Sequence, residues 1–221
     1  MEDLDSRTGP NSPADVFFDG SLVRLRARAP QALRLSLFPN VRPKLIKSSP
    51  LRAQGRDGVF WSYSVKVQPQ SVEPEWTKVR EGIPSQPVSK GEHNALAPAD
   101  AQFDQAASWR VHVPVNRLAS LSDSFLRVEY TGDVARLYCD SQLLADDFFK
   151  GTIWEIGLQR FLANCHSDLL LKITPLRKDA PVYIPHSAWP SFPPSSEIAK
   201  VNNIRLSPEY ELVVDLQGTR H

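Results

Sequence analysis

Hydrophobic and polar residues alternate with period two along most of this chain. Val23, Leu25 and Ala27 alternate with Arg24, Arg26 and Arg28, and Leu33, Leu35 and Leu37 alternate with Arg34 and Ser36. A longer run sets Val59, Trp61, Tyr63, Val65 and Val67 against Phe60, Ser62, Ser64 and Lys66. The same pattern returns at Trp109, Val111 and Val113, at Leu126, Val128 and Tyr130, at Leu169, Leu171 and Ile173, and at Tyr210, Leu212, Val214 and Leu216. Successive side chains of a strand point to opposite faces, so strict alternation puts one face in a core and the other in water. The 19 prolines agree, because proline ends strands and suppresses helix. The predicted class is all-β, an antiparallel β-sandwich or jelly roll, as one body or as two sub-sandwiches joined by a Pro-rich loop.

Between the strands the chain is irregular. Residues 1–14 are predicted to be disordered, 15–70 to supply sandwich strands, and 71–98 to form a Pro/Gly/Ser-rich loop or junction within the longer polar span Gln68 to Ala97. Residues 99–184 then form a second strand-rich core, 185–195 a Pro-rich loop, and 196–221 the C-terminal strand or strands. Helix is confined to short pieces. ADAQFDQAA (Ala99 to Ala107) predicts a short helical or irregular crossing, and GLQRFLA (Gly157 to Ala163) predicts one turn. No internal repeat is found.

Composition narrows the partners. A chain of 221 residues with 41% hydrophobic and 23% charged residues is that of an ordinary globular protein able to bury a core. Its net charge of +1 provides no global field for nucleic acid or an anionic membrane, and neither is expected as a partner. Arg24, Arg26 and Arg28 share one strand face and read as a solvated surface. Cys139 and Cys165 are not in a CxxC pair and are expected as two buried free thiols. The start, MEDLDSRTGPNSPAD, lacks the apolar core of a signal peptide, and no apolar run reaches 18 residues. As written, the chain is expected to be soluble and cytoplasmic; as a piece of a larger exported protein it would be secreted or periplasmic.

The most patterned stretch is YTGDVARLYCDSQLLADDFFKGTIWEIGLQRF, from Tyr130 to Phe161. Tyr130-Thr131-Gly132-Asp133 reads as a tight turn with Gly132 free to take positive φ, and Asp140-Ser141 as a hairpin turn where Asp-Gly is the common choice. Lys150-Gly151-Thr152 turns the chain again ahead of Trp154 and Glu155. The stretch holds no nucleophile–base pair and no phosphate loop. His93, His112, His166, His186 and His221 are not spaced as metal ligands, so no metal and no cofactor is assigned. Asp133, Asp146, Asp147 and Glu155 are of the right type for glycoside hydrolysis or for oxygen ligation of Ca²⁺. Adjacent strand residues diverge, however, and aspartates are common in turns. Sugar recognition asks for something different, an aromatic ring under the C–H face of a pyranose and polar groups at its rim. Trp154, Glu155 and Asp147 form the candidate binding set, with Trp76 and Trp189, both read as loop residues, as outer platforms.

Three segments are carried in one order: WRVHVP, then a Y-x-GD-x-A-x-L-Y strand with DDF-x-x-GT-x-WEIGL-x-RF, then a PL-x-x-DAP-x-Y strand. Over residues 96–185 this order resembles the C-terminal β-sandwich region of bacterial β-galactosidases of glycoside hydrolase family 35. The resemblance implies a jelly-roll, galactose-binding-domain-like fold. In those enzymes the catalytic glutamates lie on an upstream (β/α)₈ barrel, for which this chain has no alternating βα pattern. No catalytic residue is therefore carried over. The expected function is a non-catalytic accessory domain of a β-galactosidase-like glycoside hydrolase, with galactosides or plant-type polysaccharide as ligand. The alternatives are a scaffold that docks on a catalytic domain, and a small β-sandwich glycosidase or lyase that uses its own carboxylates.

Overall fold

The structure, a computed structural model, describes residues 14–38, 43–47, 51–65, 67–84, 96–118, 120–165 and 167–217. Among them are sixteen strands, paired antiparallel, and two α-helices of one turn each, so the all-β sandwich class predicted from alternation is the class observed. The predicted disorder of residues 1–14 falls outside the described residues except at Ala14. No helix among the described residues is long and apolar enough to cross a membrane. The chain divides into two compact units. The first takes residues 1–72, 118–124 and 207–221, and the second takes 73–117 and 125–206.

In the first unit, β1 (Asp15–Asp19) and β2 (Leu22–Ala27) form a hairpin. The C-terminal part of β16 (Lys200–Asp215) pairs with β2, and β4 (Lys44–Lys47) also pairs with β16. A separate three-stranded sheet sets β6 (Phe60–Val65) between β3 (Arg34–Leu37) and β5 (Leu51–Asp57). The alternating arginines of β2 do share a face. The buried carboxylate of Glu211, its side chain 4% exposed, lies 3.0 Å from Arg26 Nε and 3.8 Å from Arg24 Nη1. That face is ion-paired, which the sequence reading of a solvated surface did not anticipate.

In the second unit, a five-stranded sheet runs β11 (Gln142–Phe148), β10 (Val134–Cys139), β13 (Leu169–Ile173), β8 (Ala107–His112), β7 (Glu75–Arg80). A second layer has β9 (Asp123–Thr131) between β16 and β12 (Trp154–Gly157). Period two sorts the side chains of the five-stranded sheet. Trp109, Val111, Ala135, Leu137, Leu171 and Ile173 are buried, while Arg110, His112, Arg136, Tyr138, Leu170 and Lys172 point the other way. Each fully buried Leu, Ile or Val stabilises the fold by roughly 1.5–3 kcal/mol.

Four sequence expectations are corrected here. The span Gln68 to Ala97 is not wholly loop, because β7 lies within it as an edge strand paired with β8. An edge strand makes only one set of ladder bonds and buries little, so its sequence EWTKVR carries no clear alternation. The thiols are not free, since Cys139 and Cys165 form a disulfide with Cα atoms 5.8 Å apart. The fold brings the end of β10 beside the loop that precedes β13, a proximity that 26 residues of sequence separation conceal. Gly132 does not take positive φ. It is needed for close approach, because a Cβ there would lie 2.2 Å from Ile173 Cγ2 and 3.0 Å from the Thr174 carbonyl oxygen. Finally, the PL-x-x-DAP-x-Y segment is a strand only at β14 (Leu176–Arg177), which pairs with β15 (Glu197–Ile198).

The expected turns and short helices are present. The hairpin β10–β11 turns at Asp140-Ser141, and Gly151 takes φ +81°. The one-turn helices are α1 (Asp100–Phe103) and α2 (Gln159–Leu162).

Candidate functional site

The residues singled out from sequence do not form one open surface. Trp154 begins β12 and its indole is buried, 8% exposed. Strand β12 is only four residues long, too short to show alternation, so the sequence places Trp154 only as a residue that follows a turn. Its ring packs edge-on to Tyr130, with centroids 6.4 Å apart, and Tyr130 packs on Phe149 at 5.6 Å. Asp147 closes this cluster. Its Oδ2 accepts a hydrogen bond from the Tyr130 hydroxyl at 3.0 Å, and its Oδ1 lies 3.4 Å from Lys150 Nζ. Burial, with the Asp147 carboxylate next in importance, pushes the Tyr130 hydroxyl far above its usual range, so it stays a neutral donor. Asp133 nearby is raised to about 6 by burial.

Glu155 points to the other face of β12. It pairs across the ladder with Arg127, Oε1 to Nε 3.1 Å, although the N–H is not aligned on that oxygen. Trp76 sits within β7 opposite Val111 and is half-buried. Trp189 follows a 3-10 turn at His186–Ala188 and packs on Phe192, centroids 5.8 Å apart. Asp146 faces away from Asp147 and pairs across the ladder with Arg136. Among the described residues, no three His, Cys, Asp or Glu side chains gather as a metal site.

A groove of about 620 Å³ opens elsewhere in the second unit, on the outer side of the five-stranded sheet. Its floor comes from two ladder rows. Arg136 lies opposite Lys172, and Tyr138 lies opposite Leu170 on one side and Leu143 on the other. Helix α1 walls one side with Asp100, Phe103 and, just after it, Asp104. The tip of the β10–β11 hairpin, Asp140 and Ser141, walls another.

Charge in the groove is largely paired. Arg136 Nη1 bonds Asp100 Oδ1 at 2.6 Å, and the same guanidinium stacks 3.9 Å from the centre of the Phe103 ring. Lys172 Nζ reaches Asp104 Oδ1 at 3.5 Å and stands 5.0 Å over the Tyr138 ring. Asp100 and Asp104 are exposed at the rim, whereas the cations are mostly covered. The result is an aromatic and aliphatic floor edged by paired donors and acceptors. Such a surface can hold a ligand with an apolar face and many hydroxyl groups.

The sequence gives partial signals for this groove. VARLYC alternates so that Arg136 and Tyr138 share a face, and LLLKI does the same for Leu170 and Lys172. Their meeting depends on strand register, and Asp100 and Asp104 arrive from a separate helical turn. No family model, no curated protein and no solved structure matches the chain.

Proposed function

We propose that this chain is a non-catalytic β-sandwich module that binds carbohydrate in the groove over Tyr138, as an accessory domain of a β-galactosidase-like glycoside hydrolase. The observation that carries the reading is the make-up of the groove. Tyr138, Leu170 and Leu143 offer apolar surface of the kind a pyranose C–H face packs on, and the pairs Arg136–Asp100 and Lys172–Asp104 offer both donors and acceptors. The assignment to a galactosidase rests on the ordered motifs of residues 96–185.

Calorimetric titration with galactosides and plant-type polysaccharides tests the reading. Saturable binding that is lost in Tyr138→Ala and kept in Trp76→Phe supports it. Binding unaffected by Tyr138→Ala contradicts it.

The second reading, a scaffold that docks on a catalytic domain, is favoured by β1, where Val16, Phe17 and Phe18 are all exposed, Phe18 at 76%. A flat response to every saccharide, with association to a family 35 catalytic barrel added in trans, would favour that reading.

A further inference from the structure

The β10–β11 turn differs from the other two-residue hairpin turns among the described residues. The β1–β2 turn, between the paired Asp19 and Leu22, starts with Gly20 at φ +60°. The β5–β6 turn, between Asp57 and Phe60, starts with Gly58 at φ +60°. The β10–β11 turn, between Cys139 and Gln142, starts with Asp140 at φ +52°. Glycine takes this conformation without a steric penalty, whereas a side chain at the same place strains the backbone. Two of these turns use the unstrained residue, and the one that lines the groove does not.

Turn aspartates usually offset that cost with local hydrogen bonds to the backbone. Asp140 makes none among the described residues. Its Oδ2 lies 3.9 Å from Cys139 Sγ, which is in a disulfide and has no proton to give. The other two carboxylates of the groove are matched by Arg136 and Lys172, but no cation meets Asp140 among the described residues. The Cys139–Cys165 bond also fixes the residue immediately before it, which holds the tip in place ahead of binding.

We infer that Asp140 is the specificity-determining carboxylate of this groove and accepts hydrogen bonds from the hydroxyls of an uncharged saccharide; this rests on the carbohydrate reading above. The lining holds two cations and three carboxylates, and both cations are already paired. An anionic sugar would have to displace Asp100 or Asp104 and then face Asp140. A neutral hydroxyl donates to Asp140 with no such conflict, and its oxygen accepts from Arg136 or Lys172.

The test compares wild type, Asp140→Gly and Tyr138→Ala by calorimetry against a neutral galacto-oligosaccharide and a galacturonate oligomer of equal length, with Tm measured for each variant. The expected result is that Asp140→Gly keeps or raises Tm yet loses affinity for the neutral sugar at least tenfold. Wild type should also bind the galacturonate oligomer at least tenfold more weakly than the neutral one. If Asp140→Gly binds like wild type, lowers Tm, or if galacturonate binds more tightly, the inference is overturned. The groove reading survives those outcomes provided Tyr138→Ala abolishes binding. If wild type binds neither sugar, the carbohydrate reading fails and this inference with it.

Discussion

Around Trp154 an indole, a phenol and a carboxylate pack against one another, while around Tyr138 another phenol and three carboxylates line an open groove. In the first cluster the phenol and the carboxylate answer each other: the Tyr130 hydroxyl donates to Asp147, and Lys150 faces the other oxygen of that carboxylate. In the second, the rings and ion pairs lie along a concavity, and no cation among the described residues meets Asp140. Composition does not separate the two clusters. Burial does, because a polar group removed from water must find its partner inside the protein, whereas one at a groove can take its partner from a ligand.

The largest expected effect tests the closed cluster. Trp154→Ala removes a buried ring that supports Tyr130 and should destabilise the protein by roughly 3–5 kcal/mol in urea unfolding. Tyr138→Ala lies on the groove floor and should change stability by about 1 kcal/mol or less. Equal losses would mean that the two rings do not differ in role.

Next in size is the disulfide. Replacing both Cys139 and Cys165 with alanine opens a loop closed by 26 residues of sequence separation and should cost about 3 kcal/mol. Its effect on saccharide affinity should exceed that of Trp76→Phe, since Cys139 adjoins the groove tip. Thermal melts under oxidising and reducing conditions give an independent reading of the same bond.

Asp133 gives a smaller, pH-dependent contrast. Burial raises its carboxyl from the ordinary 3.8 to about 6, so the native state holds a proton there that the unfolded chain releases. That contribution to stability is present below about pH 3.8 and is lost as pH rises through about 6. Asp133→Asn should match wild type near pH 3.5 and exceed it by roughly 1–3 kcal/mol at pH 8. The backbone N–H of residue 133, which bonds the Thr174 carbonyl at 2.8 Å, is unchanged by the substitution. A constant difference across pH would show that Asp133 does not titrate as described.

Period two made strands at 109–113, 126–130 and 169–173 legible, and with the last of these the outward direction of Leu170 and Lys172. What it left out depends on longer-range geometry. Trp154 reads as exposed because β12 has four residues and follows a turn, yet its place beside β9 buries it. Trp76 reads as a loop residue because an edge strand needs little apolar surface. Gly132 reads as a turn glycine, but the constraint is Ile173 from another strand, which only the register brings near. The groove escapes sequence reading for the same reason, since Asp100 and Asp140 lie 40 positions apart and meet only through the fold.

The central claim is that the outer groove, and not the Trp154 cluster, is the recognition surface. Mapping backbone amide shifts of the isotope-labelled protein during titration with a neutral galacto-oligosaccharide tests it most directly. Saturable shifts concentrated at residues 100–104, 136–143 and 170–172 are predicted, with those at 147–155 nearly unmoved. Shifts centred on Trp154 and Asp147, with the groove silent, would contradict the account.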